Sequence, residues 1–430
     1  MPGEVLIITY YWPPSGGIGV QRWLKFTKYL PSAGWIPVIL TVKPECAAYP
    51  FTDTSLYGDV PLDVDIFRTR ATNYFSLYSK DKSKIPASGF ANFSDNSFKG
   101  KLLRFIRGNL FIPDPRKGWN RYAYKKACEI IRTKNIKHII TTSPPHSTQL
   151  IGLRLKRKFK DIKWIADLRD PWTDIYYSKM FYPTYLSRTI NASYEKKVLR
   201  NADYVTTVGV VLGRLFASKE PGIEQKIKFL PTGYDESDFN NKTGKTPGRF
   251  TISHVGTISE YNPIEGLLKA LAEVQAAGFD FVLKFTGSIN QSQRDLVEKY
   301  LKKENVEFIP YVAHDEAIQI MLDSSLLLLI IGENINNRAF ISGKIFEYLA
   351  SGKPILCLGP EDGEAAMLIS RHKQGSTFSY NDVTSIKNCI ITHIENPFHF
   401  NITAQEFSIR NQASHLAKIL EQPPFHSDIF

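Results

Sequence analysis

Along most of this chain, short runs of consecutive apolar residues alternate with longer stretches in which apolar positions recur every three or four residues. Residues 5–9 (VLIIT) suit a strand buried on both faces of a sheet. From residue 20 to 30, Val20, Trp23, Leu24, Thr27 and Leu30 fall on one helical stripe, with Arg22, Lys25 and Lys28 mostly opposite. Pro31 and Gly34 close that helix, and WIPVILTV supplies the next strand. The alternation continues through strand IKHIITTS, helix STQLIGLRLKRKF, strand IKWIADL, a helix around SYEKKVLRN, strand DYVTTV, helix VVLGRLFAS and strand KIKFL. A polar, turn-rich stretch, residues 240–249, reads as a linker.

The same grammar then restarts. Strands FTISHVG, FDFVLKFTG, VEFIPY, SLLLLII and KPILCLG are separated by four helices, PIEGLLKALAEVQAAG, QRDLVEKYLKK, DEAIQIMLD and SGKIFEYLASG. Strands alternating with helices imply parallel sheets with right-handed crossovers. The expected fold class is α/β, with two Rossmann-like domains whose parallel sheets face a cleft. Residues 1–205 form the first, basic domain, with 50–118 as an insertion or long loops. Residues 206–249 hold its last elements and the linker, and 250–403 the second domain. Residues 404–430 form a final helix able to cross back to the first domain.

Charge divides these halves. The net is +12, but residues 1–205 hold 33 Lys and Arg against 16 Asp and Glu, leaving residues 206–430 mildly acidic. An anionic surface or substrate met by the first half is the implication. The richest part is 99–137, and within it KGKLLRFIRGNLFI interleaves cations with Leu102, Leu103, Phe105, Ile106, Leu110 and Phe111. That pattern suits an anionic membrane surface, and equally a solvated helix packed on its own domain. No nucleic-acid module is recognisable, so nucleic acid is not an expected partner.

The longest purely apolar run, 326–331, is far too short to span a bilayer. The opening residues lack an export signal, and Cys46, Cys128, Cys357 and Cys389 are scattered without a C-x-x-C. The expectation is a cytoplasmic protein without disulfides, zinc or a cofactor.

In doubly wound folds, ligands sit at the carboxyl ends of strands, so candidate residues are read from those loops. The first half offers the glycine loop YYWPPSGGIGVQRW with Gly16 and Gly17, then His146, and the run Asp167, Arg169, Asp170. Glycines there let a backbone turn tightly and let a phosphate approach a helix start. The second half offers Gly256 and Thr257, Arg338, and the stretch Ser342, Gly343, Lys344, Glu347. Ser342 reads as an N-cap. Lys344 and Glu347, three apart, share a helix face, a cation for phosphate beside a carboxylate for a cis-diol. The same spacing also describes an ordinary surface ion pair.

Six stretches in order, YYWPPSGGIGVQRWLKFTKYLPSAGW, TTSPPHSTQLIG, IADLRDPWTD, LPTGYD, HVGTI and SGKIFEYLASGKPIL, resemble the GT-B glycosyltransferases. The likeness is to the family 4-like bacterial enzymes that build surface polysaccharides, and it spans nearly the whole chain. It implies retaining, metal-independent transfer of a hexose from a nucleotide-diphosphate sugar such as a UDP- or GDP-sugar to a glycan or lipid-linked acceptor. It implies that Glu347 holds the donor ribose, that Ser342, Gly343 and Lys344 meet the diphosphate, and that Gly16 and Gly17 come close to donor phosphate or acceptor.

The chain departs from the family pattern at three places. Ala339 stands eight positions before Glu347, where many members carry a second glutamate. Thr257 follows Gly256 where many carry cations, leaving Arg338 or Lys344 to supply the charge. Arg169 replaces a frequent histidine, which brings His146 forward as a catalytic candidate beside Asp167, Arg169 and Asp170. The Asp63-x-Asp65 pair resembles a metal motif of the other glycosyltransferase fold but lies outside the strand-end loops, so no metal is expected. Two other functions stay open on the same architecture: a nucleotide-sugar 2-epimerase, and a non-catalytic scaffold that binds nucleotide sugar or glycan.

Overall fold

The structure, a computed structural model, describes residues 2–50, 52–74, 97–333, 336–397 and 404–425. It divides into two compact units, 1–231 with 409–430, and 232–408. The chain thus leaves the first unit after Pro231, and the stretch 240–249 read as a linker lies inside the second. Much of the insertion read at 50–118, residues 75–96, lies outside the described residues.

The first unit is built on seven strands, β1 (Gly3–Ile8), β2 (Trp35–Val42), β3 (Asp65–Thr69), β4 (His138–Ser143), β5 (Lys163–Leu168), β6 (Tyr204–Thr207) and β7 (Ile227–Phe229), in the order β3-β2-β1-β4-β5-β6-β7. Every pairing is parallel. Its helices are α1 (Ile18–Tyr29), α2 (Phe98–Leu110), α3 (Asn120–Thr133), α4 (Gln149–Lys158), α5 (Tyr185–Asn201) and α6 (Val210–Lys219). The continuous apolar run of β1 is explained by burial on both faces. Leu6 and Ile8 enter one core with α3 and α4, whereas Val5 and Ile7 enter another with α1. Strand β3 falls within the stretch read as an insertion. Its residues are half-buried or exposed at the sheet edge, so it carries little apolar signal. Asp65 begins it and pairs with Lys134 at 2.7 Å.

The second unit carries six parallel strands, β8 (Phe250–Val255), β9 (Phe281–Thr286), β10 (Val306–Ile309), β11 (Leu326–Ile330), β12 (Ile355–Leu358) and β13 (Gly375–Phe378), in the order β10-β9-β8-β11-β12-β13. Its helices are α7 (Glu265–Ala276), α8 (Gln291–Tyr300), α9 (His314–Leu322), α10 (Lys344–Ala350), α11 (Glu364–Arg371) and α12 (Val383–Glu395). Asn290 and Asp382 cap α8 and α12 through their side chains, satisfying amides that the first helical turn leaves open. Strand order reverses between β1 and β4 in one sheet and between β8 and β11 in the other. Those are the switch points where such sheets place ligands.

The final helix, α13 (Ile409–Glu421), belongs to the first unit. Ile409, Ala413, Leu416, Ala417 and Leu420 recur at helical spacing and pack with Trp23, Phe26 and Leu30. The buried Lys163 of β5 donates to the carbonyls of Ile419 (2.5 Å), Leu420 (3.0 Å) and Gln422 near the end of α13. A cation suits a helix C-terminus, where carbonyls lack partners.

Candidate functional site

In the first unit, the loops after β1, β4 and β5 converge on Arg169. Its Nε donates to the Ser143 carbonyl at 3.1 Å and its Nη2 to that of Pro144 at 3.4 Å. The guanidinium lies over Gly19, where an added Cβ would stand 2.8 Å from Nη1. Gly17 is bare for another reason: it precedes α1 with φ +104°, a conformation L side chains rarely adopt. Much of the glycine loop therefore answers demands of the chain itself. Gly16, half-buried beside them, is not among the glycines with positive φ.

Asp167 is wholly buried. It accepts from Arg22 Nη2 at 3.1 Å, Trp23 Nε1 at 3.1 Å, Thr142 Oγ1 at 2.7 Å and Thr206 Oγ1 at 2.9 Å. Burial works to raise its carboxyl, but Arg22, Arg169 and the two threonines outweigh it and hold the group below the usual carboxylate range. With four donors and no exposed face, it has no room for a reacting group. Expected among the catalytic residues, Asp167 is instead a joint that ties α1, β4, β5 and β6 together. Arg22 extends the joint to the Leu230 and Pro231 carbonyls at 2.9 and 2.6 Å.

His146 opens the short turn after β4 and stacks on Trp172, with ring centroids 5.0 Å apart and planes 11° from parallel. Both ring nitrogens are buried without a hydrogen-bond partner. Burial, then the charges of Lys219 and Arg169, push its pKa down to about 3, so the ring is neutral at physiological pH. The loop beneath is held firmly. Trp172 Nε1 donates to Asn191 at 2.7 Å, and Glu195 accepts from Thr173 Oγ1 at 2.6 Å and Lys219 Nζ at 2.8 Å. The neighbouring Asp170 carboxyl is raised by burial, with Arg169 opposing.

On the same unit, α2 exposes Phe98, Leu102, Phe105 and Leu110, and the segment leading into α5 exposes Tyr182, Tyr185 and Leu186. Asn109 joins the two, donating to the Tyr182 carbonyl at 3.1 Å and accepting from the Thr184 amide at 2.8 Å. Lys101, Arg104 and Arg107 interleave with these apolar side chains on α2, and the helix carries no acidic residue.

The second unit builds its site around α10. Tyr348 locks that helix to the sheet: its hydroxyl accepts from the Val255 amide at 3.0 Å and donates to the Leu328 carbonyl at 3.4 Å. This sets Lys344 above the turn after β8. The Lys344 side chain crosses the bare face of Gly256, which has φ +133°, and a Cβ there would collide with Nζ. Gly287, at φ +119°, lets the β9 turn pack against the Gly256 carbonyl in the same way. Lys344 makes no hydrogen bond or ion pair among the described residues. Burial lowers its pKa to about 8, with Glu347 working the other way. The buried His254 beneath is pushed down to about 3, first by burial and then by the Lys344 charge. A half-buried ammonium with no hydrogen-bonded partner among the described residues is placed to take an anion.

Glu347, one turn on, faces His314, whose Nε2 lies 3.9 Å from Oε1 and 3.1 Å from Asp238 Oδ2. Neither Asp238 nor His314 stood out in the sequence, although Asp238 follows LPTGYD closely and His314 opens α9 just after β10. The remaining expected residues are more peripheral. Helix α10 begins at Lys344, with Gly343 at its cap and no capping side chain, so Ser342 contributes only its carbonyl, to the Ile345 amide at 3.1 Å. Arg338, proposed as a charge source, is exposed and paired with Asp362 at 2.8 Å. Thr257 is exposed. No group of three or more His, Cys, Asp or Glu among the described residues is placed to hold a metal ion.

Comparison with known proteins adds a family match over part of the chain and the fold. Residues 235–414 match the family model described as glycosyl transferases group 1. No curated protein matches the chain. Among solved structures, Anabaena Alr3699/HepE, crystallised with UDP, is similar at 14% identity over 96% of this chain and 94% of its own, with a TM-score of 0.56. A glycosyltransferase from Rickettsia africae ESF-5 is similar at 15% identity over 98% and 100%, with a TM-score of 0.60. The lipopolysaccharide outer core galactosyltransferase WaaB gives 10% identity over 97% and 99%, and also 0.60. The fold is thus that of the GT-B glycosyltransferases, two α/β units each on a parallel sheet.

Proposed function

We propose that this protein is a glycosyltransferase that moves a hexose from a nucleotide-diphosphate sugar, a UDP- or GDP-sugar, to a glycan or lipid-linked acceptor. The observation that carries the reading is Lys344, a half-buried ammonium without a hydrogen-bonded partner among the described residues, laid over the bare turn at Gly256 and one helical turn from Glu347. A diphosphate supplies the missing anion, and the ribose beside it supplies hydroxyls for the carboxylate. The match of this unit to a glycosyl transferase family model supports the same assignment.

As a sugar leaves, negative charge grows on the departing diphosphate. A cation already half-buried at the site stabilises that charge without reorganising at the moment of reaction. In a retaining mechanism the leaving phosphate itself takes the acceptor proton, so the reading calls for neither a protein base nor a metal or cofactor. In the first unit the neutral His146 and Arg169 are the groups assigned to the acceptor. The role is one in bacterial surface polysaccharide synthesis, in the manner of glycosyltransferase family 4. The enzyme works on the inner face of the cytoplasmic membrane, held through the basic, apolar surface of α2.

The test is donor binding and turnover. Thermal shifts with UDP- and GDP-sugars identify the base, since a ligand bound only by the native state raises apparent stability. Glu347→Gln removes a charge-assisted acceptor worth about 1.5–3 kcal/mol, a ten- to hundredfold rise in donor KM with acceptor KM unmoved. Lys344→Ala weakens the donor and also lowers kcat, because phosphate charge grows as the bond breaks. Donor consumption without an acceptor, yielding an isomerised sugar, would make the protein an epimerase. Full loss of turnover in EDTA, restored by a divalent cation, would overturn the metal-independent mechanism.

A further inference from the structure

Glu347 does not stand alone on the wall of the site. His314, the first residue of α9, places Nε2 at 3.1 Å from Asp238 Oδ2 and 3.9 Å from Glu347 Oε1. Three separate elements thus meet at one imidazole: the short turn Glu236–Asp238, α9 and α10. That turn is tightly made. Asp235, 3% exposed, accepts from the Ser237 amide at 3.0 Å and its hydroxyl at 2.7 Å.

The turn is also anchored to α9 without His314. Lys242 donates to the Asp238 carbonyl at 2.7 Å and pairs with Asp315, the next residue of α9. The histidine is therefore redundant as a tie between these elements, and it also faces the Glu347 carboxylate at 3.9 Å.

We infer that His314 is a positioning residue for Glu347, oriented by Asp238, which fixes the carboxylate rotamer that receives the donor ribose. The inference rests on the donor-binding role proposed for Glu347. A glutamate has three side-chain torsions, and a carboxylate must be held to accept two hydroxyls together. The N–H that Asp238 accepts at 3.1 Å also faces Glu347 Oε1 at 3.9 Å, an electrostatic contact longer than a hydrogen bond, and it favours one rotamer of the carboxylate before the nucleotide arrives. His314 thus acts on the ribose through Glu347.

Calorimetric titration of the full chain with UDP and with 2′-deoxy-UDP separates this role from a structural one, with GDP and 2′-deoxy-GDP used if the wild type prefers guanine. His314→Ala weakens UDP about three- to fivefold, the loss of one long electrostatic contact to the carboxylate. It weakens 2′-deoxy-UDP much less, because the hydroxyl that needs the ordered carboxylate is gone. His314→Gln, which keeps an N–H donor at similar reach, restores most of the affinity. In turnover, His314→Ala raises donor KM and leaves kcat within about twofold. Asp238→Asn gives a smaller loss with the same preference for the ribo ligand, and serves as the probe should His314→Ala fail to fold. Equal losses for ribo and deoxy ligands, or unchanged UDP affinity in a folded variant, overturn the inference alone. A wild type that binds neither UDP nor GDP overturns the donor reading, and this inference with it.

Discussion

Lys344 occupies the space that any side chain at Gly256 would need, so the two positions form one unit of the site. Gly256 also sits at φ +133°, which a non-glycine residue adopts only under strain. Gly256→Ala is therefore expected to cost about 1–3 kcal/mol in denaturant unfolding and to displace the ammonium, removing UDP affinity. Unchanged stability and affinity would show that the turn tolerates a side chain and that Lys344 is not held there.

Lys344 gives donor binding a pH dependence of definite sign. Its pKa in the folded protein, about 8, lies below the ordinary 10.5. A bound diphosphate requires the protonated form, so above pH 8 binding must take up a proton. UDP affinity should be flat between about pH 7 and 8 and fall above 8, approaching tenfold per unit. Lys344→Met should abolish that slope. It should also stabilise the free protein modestly at pH 7, because a half-buried cation with a lowered pKa is removed. A slope that persists in the methionine variant would place the titrating group elsewhere.

Asp167 makes a contrasting prediction. Asp167→Asn leaves Arg22 buried without its counter-charge, and breaking such a pair costs about 3–5 kcal/mol. The loss should appear as lowered unfolding midpoint, with residual activity proportional to the folded fraction. The pH sign follows from the lowered carboxyl pKa: this contribution is present above the unfolded value of 3.8 and is lost as pH falls through the folded one. A variant of normal stability and no turnover would return Asp167 to the catalytic groups.

The α2 surface is tested by lipid. Vesicles with anionic headgroups should retain the protein at low salt and release it as salt rises, and Phe98→Ser with Leu102→Ser should weaken retention at constant charge. Retention equal on neutral vesicles, or absent at low salt, would make α2 an ordinary surface helix.

The buried strands were plainly legible in sequence, because β1 and β11 are apolar on both faces and give unbroken runs. β3 was not, since an edge strand half in water, reading DIFRT, has neither alternation nor a run. The chemistry divided along similar lines. Lys344 and Glu347 share a helix face by spacing alone, so local periodicity brings them out. His314 and Asp238 lie 76 positions apart, and only tertiary packing brings them together. Asp167 misled for a related reason: a carboxylate at a strand end looks catalytic until the four donors from α1, β4 and β6 are seen around it. The glycines misled in part as well, because sequence does not reveal that Arg169 fills the space over Gly19.

The placement of α13 bears on how the protein is made. Its apolar stripe covers Trp23, Phe26 and Leu30, side chains synthesised almost four hundred residues earlier. As the chain leaves the ribosome, the second unit has all its strands before the first receives its closing helix. The half begun first is thus the last to be sealed, and throughout elongation it presents a greasy face to the cytosol. Ribosome stalling just before residue 409 would yield a finished second half and a sticky first one. Such a nascent chain is a natural client for holding chaperones until its last helix arrives.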